Sequence, residues 1–83
     1  MIDPIESRRR ARLAEIYAHP GGRPELEALH GQVWNSEQLA RDFEVLGFLA
    51  PYVVVRRRGD DVIGSLEFQQ QPRFYFLFRP DER

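Results

Sequence analysis

The sequence predicts an α+β fold: two or three N-terminal helices packed on one face of a three-stranded antiparallel meander. Before Pro51, apolar residues recur at helical spacing between recognisable caps. After Pro51, the apolar runs are β-branched and aromatic. Two of those runs are separated by Arg58-Gly59-Asp60-Asp61, a tight-turn sequence. The 83 residues read as one domain, with a helical part over 3–47, a meander over 52–79 and a polar tail over 80–83.

Asp3-Pro4-Ile5-Glu6 opens the first helix. Asp3 is a good N-cap, Pro4 suits the first helical position, and Glu6 completes a capping-box spacing. Ile5, Leu13, Ile16 and Tyr17 make the apolar side, and His19-Pro20-Gly21-Gly22 ends the helix after about Ala18. A short second helix begins at Pro24, turns Leu26 and Leu29 inward, and stops before Gly31.

The third helix carries the clearest punctuation. Asn35 and Gln38 form a capping box, and Trp34 and Leu39 form a hydrophobic staple. Leu39, Phe43 and Leu46 follow at helical spacing, with Gly47 at the left-handed C-terminal position and Phe48 folding back on Phe43. Residues 43–49 also read as a strand, but the helix explains both ends.

The strands are expected at about 52–58, 62–68 and 73–79. A Gly59-Asp60 loop sets Arg57 opposite Val62, Val55 opposite Gly64 and Val53 opposite Leu66. Gly59 supplies a positive φ, and the Arg58-Gly59-Asp60 tripeptide reads as turn chemistry. Gly64 inside a strand marks a bulge or a close approach. The last strand, Phe74-Tyr75-Phe76-Leu77-Phe78, is apolar on both faces. Regular alternation sends Phe74, Phe76 and Phe78 one way and Tyr75 and Leu77 the other. Such a strand expects cover on both sides, and helices on one face leave the other for a partner.

Composition narrows the function. There is no cysteine, hence no disulfide and no thiolate metal site. His19 and His30 sit near helix ends in no metal-ligand spacing, so no metal and no cofactor is expected. No apolar run is long enough for a signal peptide or a membrane span, and a cytoplasmic protein is expected. All 12 basic residues are arginine. That suits phosphate, carboxylate and aromatic partners, and it also follows from GC-rich codon usage.

The principal expectation is a small non-enzymatic binding or adaptor protein, a subunit of a homo-oligomer or a larger complex. Its contacts would be Tyr52, Tyr75, Leu77 and Phe78, with Arg73 and Arg79 at the rim. The alternative is nucleic-acid binding through Arg8, Arg9, Arg12, Arg56, Arg57 and Arg58. Three helices followed by a hairpin resemble a winged-helix layout with Arg56–Arg58 on the wing, although the third helix would show phosphates Glu37, Asp42 and Glu44 beside Arg41. Arg73–Phe78 faintly resembles the aromatic platform strand of an RNA-recognition motif. Helices on an antiparallel sheet bearing Arg and Tyr also loosely resemble the RelE-type ribosome-dependent RNases. That resemblance implies Arg56, Arg73 and Tyr75 contacting phosphate and scissile ribose. No small-molecule substrate is indicated.

Overall fold

The computed structural model describes residues 4–18 and 20–81. Helix α1 spans Pro4–Ala18, α2 Arg23–His30 and α3 Ser36–Asp42. The strands are β1 (Val33–Trp34), β2 (Phe43–Leu49), β3 (Tyr52–Arg57), β4 (Ile63–Gln70) and β5 (Arg73–Pro80). They form one antiparallel sheet in the order β1-β5-β4-β3-β2. The α+β class holds, and the expected three-stranded meander is corrected to five strands. The two added strands sit at the edges, β2 extending the meander and β1 crossing back to pair with β5.

The expected third helix stops four residues early. Its start is as read: the Asn35 side chain accepts from the Gln38 amide, and the Gln38 side chain accepts from the Asn35 amide. Phe43 is already extended, with φ −135° and ψ 152°. The Phe43–Leu46 segment satisfies either period locally. Pairing with β3 decides it, because Phe43 opposite Arg57 and Val45 opposite Val55 put Phe43 in the core. Glu44 accordingly lies on a strand rather than on an acidic helix face.

The helices do not share one face of the sheet. Leu39 of α3 packs with Trp34, Phe43, Val53, Val55, Leu66, Phe68 and Tyr75. Ile16 of α1 and Leu26 of α2 pack with Val33 and Phe76. Neighbouring residues such as Val33 and Trp34, or Tyr75 and Phe76, fall into different clusters, so the clusters occupy opposite faces. We call these the α3 face and the α1–α2 face. The two-sided demand of β5 is therefore met from within the chain over much of its length.

Regular alternation along β5 fails at Leu77. Leu77 has φ 57°, and the β4–β5 register shifts between Ser65 and Glu67. An extra residue on β5 makes a bulge and resets the side-chain alternation. Phe74 and Phe76 belong to the α1–α2 face, whereas Phe78 belongs with Phe43 on the α3 face. The expectation that Phe74, Phe76 and Phe78 point one way is corrected accordingly.

The remaining elements divide similarly. The β3–β4 register is as expected, with Val55 opposite Gly64, Val53 opposite Leu66 and the Arg57 amide donating to Val62 O at 2.8 Å. The positive φ of that turn falls on Asp61 instead of Gly59. Gly31 takes the positive φ at the end of α2 and donates to Glu27 O. Leu26 is buried, but Leu29 is exposed and does not turn inward.

The α1 helix has the expected extent and little of the expected apolar side. Ile16 is buried, Leu13 is half-buried and Tyr17 is exposed. Polar groups hold the helix instead. Arg12 pairs with buried Glu67, and Arg9 donates to Ala50 O at 2.7 Å. Gln69 fastens the link to α2, accepting from the Gly21 amide and donating to Gly21 O and Pro72 O. Asp3, His19 and the Ile5 side chain lie outside what is described.

Candidate functional site

The two sheet edges differ. The β1 edge is two residues long, while β2 presents seven residues whose outer side no strand among the described residues pairs. Val45 and Phe48 lie on the α3 face, opposite Val55 and Val53. Leu49 lies on the other face, opposite Tyr52, and Leu46 is the extra residue of a bulge. All four are exposed, Phe48 at 55% and Leu49 at 54%. Val54 and Ile63 extend the exposed apolar surface inward on the α1–α2 face.

Edge strands are usually blunted by lysine, proline or inward charge. β2 has none of the first two, and its one charge, Glu44, is matched to Arg56 at 3.5 Å. The Leu46 bulge is the strand's protective irregularity. Phe48 is anchored from below, its ring edge-on to Phe68 at 5.7 Å. An incoming strand would therefore meet one anchored aromatic and three aliphatic side chains.

The residues expected to bind a partner do not form one patch. Tyr75 is buried at 3% exposure, and Arg73 stacks on Phe68 at 5.1 Å and donates to the Tyr75 hydroxyl at 3.1 Å. Those two are brought together. Phe78 is partly buried beneath Arg57, whose guanidinium lies 5.0 Å from the ring centroid. Leu77 packs against the α1–α2 cluster. Tyr52 is half-buried on that same face, next to Leu49. Arg79 is exposed opposite Ser65. Of the six, Tyr52 adjoins the free edge. Val45, Leu46, Phe48 and Leu49 are not among the contacts the sequence predicts, because the helix reading of 43–49 gives Leu46 and Phe48 to a helix end. The competing strand reading of the same seven residues carried the signal.

The arginine clusters are likewise separated. Arg9, Arg10 and Arg12 bond to Glu6, Glu15, Glu67 and the Ala50 carbonyl. Arg8 is exposed on the same helix. Arg57 and Arg58 lie on the α3 side, Arg57 gripping Asp60 through two hydrogen bonds of 3.0 and 2.7 Å and Arg58 donating to Ala40 O at 3.1 Å. Arg56 turns to the opposite face with Glu44. Arg56 and the Arg73–Tyr75 pair also sit on opposite faces, so the trio implied by the RNase resemblance does not converge.

Among the described residues no group of three metal-ligating side chains gathers, and no helix is long and apolar enough to cross a membrane. No family model, no curated protein and no solved structure matches the chain. The class is an α+β protein whose antiparallel sheet has helices on both faces and one open apolar edge.

Proposed function

We propose that this chain is a non-enzymatic binding module, a subunit that joins a second copy of itself or a larger assembly by strand addition at β2. One observation carries the reading: a seven-residue edge strand exposes Val45, Leu46, Phe48 and Leu49 around a backbone edge that no strand among the described residues pairs. Strand addition supplies affinity through main-chain hydrogen bonds and specificity through alternate side chains. β2 offers both, with apolar side chains above and below the sheet. Relative to the sequence expectation, the contact moves from the β5 aromatics to the β2 edge, keeping Tyr52 at its margin.

Light scattering coupled to size exclusion, over a concentration series, tests it. The expected result is a mass of at least twice that of the chain, or a stoichiometric complex with a partner from the host. A monomer throughout, with no partner recovered, rejects the reading.

A further inference from the structure

A hollow of about 570 Å³ opens on the α3 side, between α3, the β3–β4 turn and β5. Its size falls within the range of small-ligand sites. Three arginines line it, Arg41, Arg57 and Arg58, together with Gln32 and Phe78. Among the described residues, Asp42 is the one carboxylate in the lining.

Two of the arginines are held by carboxylates. Arg41 pairs with Asp42 at 3.0 Å, and Asp42 also accepts from the Trp34 indole at 3.0 Å. Those two hydrogen bonds lower the Asp42 pKa and keep it ionised. Arg57 is gripped by Asp60. Arg58 differs: its partner is the neutral Ala40 carbonyl, so its charge meets no carboxylate among the described residues. Three arginines thus line one hollow; Asp42 and the nearby charge of Glu37 act on Arg41, Asp60 holds Arg57, and Arg58 alone is anchored by a neutral group.

We propose that this hollow is a binding site for a phosphate monoester of roughly mononucleotide size. A carboxylate is satisfied by one guanidinium fork, whereas a tetrahedral dianion has acceptors for more than one. Phe78, beneath the Arg57 guanidinium, makes part of the lining apolar. A nucleic-acid strand is the poorer fit. It needs an extended basic track, and the α1 arginines lie across the sheet, largely engaged with carboxylates. The site does not depend on association through β2.

Isothermal titration calorimetry at low ionic strength tests it, with inorganic phosphate, AMP and an oligonucleotide lacking terminal phosphates as probes. AMP is expected to bind, inorganic phosphate more weakly, and the oligonucleotide more weakly than AMP. Arg58→Gln removes the uncompensated charge and is expected to weaken AMP at least about tenfold, the size of one charge-assisted contact. Gln32→Glu brings a carboxylate to the exposed wall without touching an arginine, and is expected to do the same. Weakening by either variant supports the site. AMP affinity unchanged in both, no AMP binding at millimolar concentration, or oligonucleotide binding as tight as AMP overturns it.

Discussion

Gly64 on β4 and Phe78 on β5 fit each other through an absence. A Cβ at Gly64 would stand 2.8 Å from Phe78 Cε1 and closer still to the Arg79 carbonyl oxygen. The ring occupies the place a side chain would fill, and the Leu77 bulge turns Phe78 onto that face. Phe78 then meets Phe43 at 5.2 Å and carries Arg57 on its outer side. One glycine thereby ties the β5 bulge to the seat of β2.

Gly64→Ala should consequently destabilise the protein by about 1–3 kcal/mol, the usual cost of overpacking. Urea denaturation measures it. Trimming the ring with Phe78→Ala in the same chain should not restore stability, because the Arg79 carbonyl still blocks the new methyl group. Full recovery in the double variant would put the conflict on the ring alone.

The same region shows what could be read in advance. The β3–β4 register was legible because a tight turn fixes pairing and Val53, Val55 and Leu66 share a face. The Asn35–Gln38 cap was legible because both bonds are local. The left-handed Leu77 was not: nothing within Phe74–Phe78 distinguishes a bulged strand from a regular one. The extra residue shows only in the pairing across to Ser65 and Glu67. The β2 strand failed for a related reason, since Leu39, Phe43 and Leu46 fit a helix until β3 is placed beside them. Predicting helices on one face erred because α1 is held by Arg9 and Arg12 rather than by an apolar stripe.

The cap itself can be weighed. Asn35→Ala leaves the Gln38 amide without its side-chain acceptor at 2.7 Å, while the backbone amide at 35 can still donate to the Gln38 side chain. A loss of about 1 kcal/mol is expected. Asn35→Asp keeps an acceptor and should remain within about 0.5 kcal/mol of the unaltered protein in the same melts. An Ala variant as stable as the Asp variant would mean that packing of Trp34 and Leu39, not the cap, starts α3.

Acid should act in two stages. His30 stacks on Phe76 at 4.6 Å, with the rings 7° from parallel. Burial, and then the nearby charge of Arg12, lower its pKa below the ordinary 6.5, with Glu67 opposing. The unfolded chain therefore takes up this proton more readily than the folded one, and stability falls as pH drops through and below 6.5. Asp42, held by Arg41 and Trp34, has its pKa lowered below 3.8, so its contribution is lost only in stronger acid. Thermal melts of His30→Gln should lose the first stage and keep the second. A first stage that survives the substitution would assign it to another group.

The open edge makes the last prediction. Leu46 and Leu49 are exposed on β2 and are not members of either buried cluster. Replacing both with lysine should alter fold stability little, since exposed substitutions usually fall within about 0.5 kcal/mol each. The lysines introduce the charges that natural edge strands use to refuse a neighbour. Two like charges brought to a paired edge must be desolvated or must splay the strands. If β2 is the contact, Leu46→Lys with Leu49→Lys should shift light-scattering mass to that of one chain, with the melting temperature held. Tyr17→Lys changes another exposed apolar side chain, on α1 and away from the edge, and should leave assembly as it was. Assembly that persists with lysines on β2 and is lost with lysine at Tyr17 would move the interface from the β2 edge to α1.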